Sequence, residues 1–248
     1  VLPILVGKAT RALDFIPTHD KRYTATLQFG MKSDTLDIWG NVTKINAPFP
    51  TLSEIETVLP KFRGNILQVP PMTSAIKKDG QKLYELARKG IEIAREPRPI
   101  AVYSLEISEY LPQSGQLTFD CHCSKGTYIR SICDDLGRML GCGAVMTALR
   151  RTMAAGFTLE HCVSLTDTLS QAELIAHILP IEKVFSVYPA VTVSAAQAVR
   201  FRNGGGLSLE RLRTPIPDGP IRVHAPDSTF LGLGVASEDT LQVLKLFV

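Results

Sequence analysis

Residues 124–137 place an aromatic ring and a guanidinium close together at a joint between two elements. The ring is that of Tyr128, and the guanidinium is that of Arg130. An aromatic face can stack on a flat substrate, and a fixed cation holds a neighbouring carboxylate in its ionised form. Both groups are typical of an active site, so we interpret this segment as part of one.

Two hydrophobic patterns predict the elements that position this joint. Before it, apolar residues alternate with polar ones and predict a half-buried strand: Leu117, Phe119, Cys121 and Cys123. After it, apolar residues recur at helical spacing and predict one buried helix face: Ile129, Ile132, Cys133, Leu136 and Leu140. Tyr128 and Arg130 therefore lie where the strand ends and the helix begins.

Residues 22–29 carry a second strand that matters for the site. Its apolar face is formed by Tyr23, Ala25, Leu27 and Phe29. Period-two alternation of this kind predicts a half-buried strand. Taken alone, it favours a core tyrosine at position 23 over a tyrosine that contacts a substrate.

Strands and helices are mixed without a regular β-α-β repeat, which favours an α+β fold with a mixed, largely antiparallel sheet. Ser53 and Glu56 have the spacing of a capping box and predict the start of one helix. The composition shifts near Tyr188. We therefore predict a large domain over residues 1–187 and a small β-rich domain over residues 188–248.

The composition excludes several classes of protein. With 45% hydrophobic and 21% charged residues, the chain is typical of globular proteins. No apolar run approaches the roughly 20 residues that a membrane-spanning helix needs, so we expect no membrane partner. The five cysteines form no CxxC pair, which favours reduced thiols in a cytoplasmic protein. His122 points away from Cys121 and Cys123, so we expect no metal site.

Positive charge is concentrated in two zones of the sequence. Residues 61–98 carry nine Lys or Arg against four Asp or Glu, and residues 200–222 carry five against two. Such zones are typical of a surface that binds a phosphate backbone, and solvated faces without a partner are the alternative. A basic, turn-rich excursion over about residues 70–99 overlaps the first zone. The candidates for backbone contacts are Lys77, Lys78, Lys82, Arg150 and Arg151.

Four stretches resemble motifs of one enzyme family: SKGTYIRSICDDLG at 124–137, KRYTATLQFG at 21–30, VLPILVGKAT at 1–10 and GCGAVMTALRRT at 141–152. The family is that of the TruB-type tRNA pseudouridine synthases. The resemblance covers essentially the whole chain, and residues 201–204 and 230–234 are similar to the small PUA-like RNA-binding domain that ends these enzymes. It implies a pseudouridine-synthase catalytic domain over residues 1–187 and a PUA-like domain over residues 188–248.

The resemblance implies the isomerisation of uridine to pseudouridine in the TΨC loop of tRNA, at position 55. The target base must be flipped into a pocket that offers an aromatic face and apolar walls. By the resemblance, Tyr23 stacks on the flipped uracil, and Tyr128 and Leu149 complete its pocket. No metal or organic cofactor takes part. The implied partner is the T arm of tRNA, bound by a monomer in the cytoplasm.

The nucleophile of the family is an aspartate in a Gly-x-Leu-Asp-Pro-type motif, which the printed sequence lacks. We expect that motif upstream of Val1, with Arg130 as the ion-pair partner that keeps the aspartate ionised. A buried Arg130 without that partner would lower the free energy of unfolding by several kcal/mol. Arg130 is therefore expected to be exposed unless the aspartate is present. Asp37 is expected to order the active-site loop and not to act as the nucleophile.

Two other functions compete with this interpretation. A catalytically inactive tRNA-binding fragment would retain the pocket and the basic zones without the nucleophile. A metal-dependent nucleic-acid enzyme is disfavoured because the sequence has no ligand spacing for a metal. Release of tritium from uridine C5 distinguishes the synthase from the fragment, and stoichiometric zinc would identify the metal enzyme.

Overall fold

The computed structural model of the chain describes residues 1–165, 170–212 and 214–248. The described residues form two compact units. The first comprises Val1–Leu2 and His19–His161, and the second comprises Pro3–Thr18 and Cys162–Val248.

The first unit contains the elements that position the predicted site. Its strands are β1 (Lys21–Phe29), β2 (Met31–Ser33), β3 (Val42–Lys44), β4 (Gly64–Gln68), β5 (Lys77–Lys78), β6 (Gln81–Lys82), β7 (Arg98–Leu111), β8 (Gln116–Cys123), β9 (Ala144–Ala154) and β10 (Phe157–Thr158). Its α-helices are α1 (Leu52–Val58), α2 (Leu83–Arg88) and α3 (Ile129–Met139), and its 3-10 helices are Leu59–Phe62 and Leu159–His161.

One six-stranded sheet organises this unit, in the order β10-β9-β1-β8-β7-β4. Every pair of neighbouring strands in it is antiparallel. The central strand β1 pairs with β8 on one side and with β9 on the other. Two short hairpins, β2–β3 and β5–β6, form separate ladders. The predicted α+β class with a largely antiparallel sheet is confirmed.

Alternation along β1 decides which face of the sheet is buried. Ala25, Leu27 and Phe29 are at most 1% exposed, as their spacing predicts. Helix α3 contributes Ile132 and Leu136 to the same apolar cluster. Burial of each large apolar side chain stabilises the fold by about 1.5–3 kcal/mol, so this face holds α3 against the sheet.

Helix α1 has its capping box two residues before the predicted one. The Glu54 amide donates to Thr51 Oγ1 at 3.3 Å, and the Thr51 amide donates to Glu54 Oε2 at 2.7 Å. The predicted pair Ser53 and Glu56 is therefore wrong. Both pairs have the same spacing in the sequence, so spacing alone does not choose between them, and the helix begins earlier, at Leu52.

The second unit is β-rich and is built around a five-stranded sheet in the order β11-β13-β14-β15-β12. Its strands are β11 (Ala190–Thr192), β12 (Leu207–Ser208), β13 (Pro220–His224), β14 (Phe230–Ser237) and β15 (Thr240–Leu246). Its helices are α4 (Gln171–Ala176), α5 (Ala195–Arg202) and the 3-10 helices Gly7–Phe15, Ile181–Phe185 and Leu209–Arg211. Strand β11 is parallel to β13, and the other pairings are antiparallel.

An aromatic cluster joins distant parts of the sequence within the second unit. Phe185 is fully buried and clusters with Ala12, Leu233 and Phe247. Residues on both sides of position 187 thus share one core. The contacts divide the chain between His161 and Cys162, and the domain boundary at 187/188 stays a prediction.

Candidate active site

A buried glutamine holds the joint between β8 and α3. Gln68, the last residue of β4, is 4% exposed. Its Oε1 accepts from the Tyr128 amide at 2.8 Å, and its Nε2 donates to the Tyr128 carbonyl oxygen at 3.0 Å. Beside it, Ser131 Oγ donates to the Val69 carbonyl oxygen at 3.2 Å. These bonds fix the first turn of α3, which carries Arg130, against the end of β4.

The guanidinium of Arg130 makes four hydrogen bonds. Its Nη1 donates to Asp37 Oδ2 at 2.9 Å, to Thr73 Oγ1 at 2.9 Å and to the Thr35 carbonyl oxygen at 3.3 Å. Its Nη2 donates to the Thr73 carbonyl oxygen at 3.1 Å. The side chains of Arg130 and Asp37 are 23% and 12% exposed. The ion pair is therefore largely shielded from water, and its charge-assisted bonds fix the direction of the guanidinium.

This ion pair corrects the expectation for Arg130. The sequence predicted an exposed arginine unless an upstream aspartate were present, because a lone buried cation is costly. Arg130 is instead mostly buried, and Asp37 from the loop after β2 neutralises it. The two residues are 93 positions apart, so their meeting could not be read from spacing. The available signal was an acidic residue in a turn-rich loop that follows a strand.

Asp37 also orders its own loop, as the sequence predicted. Its Oδ1 accepts from Thr35 Oγ1 at 2.7 Å and from the Trp39 amide at 3.1 Å. Asp34 closes the same loop by accepting from the Asn41 amide at 2.8 Å and from the Asn41 side chain at 2.7 Å. The hydrogen bonds from Asn41 lower the pKa of Asp34. The loop is thus cross-linked by two carboxylates.

The predicted pocket residues Tyr23 and Leu149 lie on neighbouring strands. Tyr23 of β1 pairs with Arg151 of β9, and Ala25 pairs with Leu149, so the four side chains share one face of the sheet. Tyr23 is half-buried at the edge of the core, whereas Leu149 is 45% exposed. Burial raises the pKa of the Tyr23 hydroxyl, and a hydrogen bond with Arg151 partly offsets this rise. The hydroxyl of Tyr23 therefore stays protonated, and its hydrogen bond with Arg151 helps to position the ring.

The predicted residues form two groups in the first unit. Tyr128 and Arg130 lie together at the start of α3. Tyr23, Leu149 and Arg151 lie together on β1 and β9. Their roles in catalysis and substrate binding stay predictions.

A cleft of about 920 Å³ opens beside the first turns of α3. Its walls come from residues 33–36, from residues 69–73, from parts of residues 84–95 and from α3. A cleft of this volume lies within the range of small-molecule sites. On the α3 wall, burial raises the pKa of the Asp134 and Asp135 carboxyls, and the nearby Arg138 counteracts this rise.

The cations predicted to contact RNA lie at different places in the first unit. Lys77, Lys78 and Lys82, here called the hairpin lysines, lie on the β5–β6 hairpin. Lys77 and Lys78 are exposed. Arg150 on β9 is exposed, and Arg151 Nε donates to the Val1 carbonyl oxygen at 2.6 Å.

The second basic zone lies in the second unit. It includes Arg200 and Arg202 at the end of α5. Arg213 of that zone is outside the described residues.

The face of the sheet opposite the core carries His122. Its ring centroid lies 4.8 Å from that of Tyr103. Burial lowers the pKa of His122, and the charge of Arg22 lowers it further. Cys121 and Cys123, its sequence neighbours, are buried on the core side, as alternation predicts.

Within residues 1–165, 170–212 and 214–248, no group of three or more His, Cys, Asp or Glu could hold a metal ion. Burial raises the pKa of the Cys133 and Cys142 thiols, which favours their protonated form. No helix in the described part of the chain is long and apolar enough to span a bilayer.

Two family models match the chain. Residues 1–129 match the N-terminal domain of the TruB family pseudouridylate synthases, and residues 130–186 match the C-terminal domain of tRNA pseudouridylate synthase B. The tRNA pseudouridine synthase B of Clostridium acetobutylicum is 40% identical over 248 residues, which cover 99% of this chain and 84% of the relative. The tRNA pseudouridine synthase B of Burkholderia mallei is 39% identical over 255 residues, which cover 100% of this chain and 83% of the relative.

Two solved structures share the fold. A Cbf5-Nop10-Gar1 complex contains a chain with a TM-score of 0.68 and 24% identity, with 100% of this chain and 72% of that chain covered. A chain in an H/ACA RNP bound to a substrate RNA containing 2′-deoxyuridine has a TM-score of 0.67 and 20% identity. The match covers 98% of this chain and 70% of that chain. Identities this low establish similarity of fold alone.

Proposed function

Because the chain belongs to the TruB family of pseudouridylate synthases, we propose that it isomerises uridine to pseudouridine in the TΨC loop of tRNA, at position 55. The observation that carries the proposal is the fixed Arg130, held beside Tyr128 by Asp37 and Thr73. Tyr128 and Arg130 lie in the segment whose sequence resembles the family motif. Identity of 40% over 99% of the chain supports the same reaction.

The reaction exchanges one bond to the ribose for another. The bond between uracil N1 and ribose C1′ breaks, the base rotates, and a bond forms between C5 and C1′. C5 loses its proton and N1 gains one, so the reaction is balanced without a redox partner. The requirements are a nucleophile, a pocket that holds the detached base, and exclusion of water.

We propose that residues of the first unit form a pocket of this kind. In the proposal, the half-buried ring of Tyr23 stacks on the flipped uracil, and Tyr128 and Leu149 form apolar walls. Arg130 orients the nucleophilic aspartate of the family motif. Its bonds to Asp37 and Thr73 support this role because they fix the guanidinium before substrate arrives.

RNA binding is proposed to use the positive charge of the first unit. The hairpin lysines, Arg150 and Arg151 contact the phosphate backbone of the T arm, since charges of this kind position an RNA without reading its sequence. We propose that the protein is a monomer and that it acts in the cytoplasm. The buried thiols of Cys121, Cys123, Cys133 and Cys142 support a reducing compartment.

A tRNA transcript that carries tritium at uridine C5 tests the reaction directly. Each turnover at position 55 breaks one C5–H bond and releases one tritium, and a transcript with cytidine at position 55 is the matched control. In an enzyme that carries the family's aspartate, Tyr23→Ala should abolish release and leave affinity for the T arm nearly unchanged, because backbone contacts supply most of the binding. Tyr103→Ala, an aromatic substitution on the opposite face of the sheet, should leave both unchanged.

Three outcomes separate the alternatives. Release from the uridine transcript alone supports the reaction and its position in the tRNA, and it would mean that a nucleophile lies among these 248 residues, against the expectation from the sequence. Binding without release favours a tRNA-binding chain that lacks the nucleophile. Failure to bind the T arm at low salt would overturn the proposal.

A further inference from the structure

Trp39 is the single tryptophan of the chain, and it is 88% exposed. Two apolar neighbours on the same loop and hairpin, Ile38 and Val42, are 45% and 36% exposed. Tryptophan offers a large apolar surface, and its burial normally contributes to stability. The folded chain gains little from this ring in its own core, so the ring is available to a binding partner.

The loop that carries Trp39 is held on both sides of the ring. The Ile38 amide donates to the Met146 carbonyl oxygen of β9 at 2.9 Å. The Trp39 amide donates to Asp37 Oδ1 at 3.1 Å, and the Asn41 amide donates to Asp34 Oδ1 at 2.8 Å. The backbone at position 39 is therefore pre-organised, and a partner that stacks on the ring need not order the loop first.

Gly40 shows how tightly this loop is packed. A Cβ atom at position 40 would lie 2.2 Å from Asp34 Oδ1 and 2.3 Å from Thr35 Oγ1. The backbone after Trp39 thus runs directly over the polar side chains of the loop. This close approach leaves the ring as the group that projects into solvent.

The position of Trp39 links the ring to the proposed catalytic centre. Asp37 accepts from the Trp39 amide through Oδ1 and from Arg130 Nη1 through Oδ2 at 2.9 Å. One carboxylate thus separates the Trp39 backbone from the guanidinium. Exposed Lys32 and Lys44 lie on the β2–β3 ladder that leads into and out of the loop. An exposed aromatic ring on a loop whose two strands carry exposed lysines combines the features of surfaces that bind single-stranded nucleic acid.

We propose that Trp39 stacks on an unpaired base of the substrate RNA, next to the uridine that is flipped into the pocket. This inference rests on the proposed function and adds a substrate contact to it. Unpaired bases in RNA loops stack on exposed aromatic side chains, whereas paired bases are inaccessible to them. The partner is therefore the single-stranded part of the T arm.

The single tryptophan makes a direct measurement possible. Intrinsic fluorescence of the wild-type chain is titrated with a T-arm hairpin, and binding is followed in parallel by the anisotropy of a dye-labelled copy of the hairpin. A base that stacks on the indole should quench its emission, with the same midpoint as the anisotropy curve. Because Trp39 is the one emitter of its kind, any quenching reports on this loop.

Substitutions of Trp39 give the energetic test. Trp39→Ala should weaken hairpin binding about fivefold to 150-fold, which corresponds to the loss of one stacked base. Trp39→Phe keeps a smaller stacking face and should recover most of the affinity. Tyr103→Ala removes a 52% exposed aromatic from the other face of the sheet and should bind like wild type. Circular dichroism confirms that each variant is folded.

The outcomes separate this inference from the function on which it rests. Saturable binding with unchanged tryptophan emission, or wild-type affinity of Trp39→Ala, would overturn the stacking contact and leave the synthase proposal standing. In that case the exposed ring would belong to a protein interface. If the wild-type chain fails to bind the hairpin, both proposals fall.

Discussion

Replacing Asp37 by asparagine removes one charge from the Arg130 ion pair without changing the shape of the side chain. The asparagine carbonyl oxygen can still accept from Thr35 Oγ1 and the Trp39 amide, as Asp37 Oδ1 does. Its NH₂ group then faces Arg130 Nη1, where Oδ2 accepted a hydrogen bond at 2.9 Å. A donor thus meets a donor, and the guanidinium loses its counter-ion.

The expected loss follows from the burial of the pair. A hydrogen bond to a charged group contributes about 1.5–3 kcal/mol, and breaking a fully buried pair costs about 3–5 kcal/mol. Arg130 is 23% exposed and retains its bonds to Thr73 and to the Thr35 carbonyl, so the lower range applies. We expect Asp37→Asn to lower the free energy of unfolding by about 2 kcal/mol.

Asp34→Asn is the matched control, because it makes the same chemical change in the same loop. Asp34 is exposed and accepts from the Asn41 amide and side chain. Its substitution should cost less than about 1 kcal/mol. Urea denaturation followed by circular dichroism compares the two variants, with equal slopes against urea required for the comparison.

A double-mutant cycle assigns the loss to the ion pair. In the Arg130→Met background, Asp37→Asn should cost at least about 1 kcal/mol less than it does in wild type. Equal losses for Asp37→Asn and Asp34→Asn, or a cycle with no coupling, would refute the reasoning. Arg130 would then be satisfied by its neutral partners alone.

Three further predictions concern other parts of the first unit. Gln68→Met should lower the free energy of unfolding by about 1–3 kcal/mol and speed hydrogen exchange at the Tyr128 amide, because that amide loses its buried acceptor; unchanged exchange contradicts this role. Replacing the hairpin lysines by glutamine should weaken T-arm binding and reduce its log-log salt slope by about 0.7–0.9 per lost phosphate contact, measured by anisotropy over a salt series; an unchanged slope would locate the contacts elsewhere. Burial and Arg22 lower the pKa of His122 below 6.5 in the folded chain, so the unfolded chain binds the proton more readily. The free energy of unfolding therefore falls as the pH drops through 6.5 toward the pKa of His122 in the folded chain. His122→Gln should flatten this fall in urea denaturation between pH about 7.5 and about 5, and parallel curves for the two proteins would count against it.

Elements with strong periodicity could be predicted from the sequence. Strands β1 and β8 alternate apolar and polar residues, and α3 repeats apolar residues at helical spacing. Each pattern places the apolar side chains on one face, and it can be seen in the local sequence alone. The helix start at Thr51 was missed because Thr51 and Ser53 have the same distance to a glutamate. Local spacing cannot choose between them.

Contacts that complete the site could not be predicted in this way. Asp37 meets Arg130 across 93 positions, and Gln68 meets Tyr128 across 60. The second contact depends on the strand order β8-β7-β4, which brings the end of β4 near the start of α3. A glutamine at the end of a predicted strand gives no sign of a buried partner. Family resemblance named Arg130 and Tyr128 but not the residues that hold them.

The aromatic cluster of the second unit has a consequence for how the chain folds during synthesis. Tyr188 Oη donates to the Phe15 carbonyl oxygen across 173 positions, and Ala12 shares its core with Phe185. At about 5–20 residues per second, a ribosome needs about 9–35 s to make the intervening chain. The segment around Ala12 therefore lacks its core partners while residues 19–161 are made and begin to fold. This delay gives the nascent chain time to form wrong contacts before the second unit can close its core.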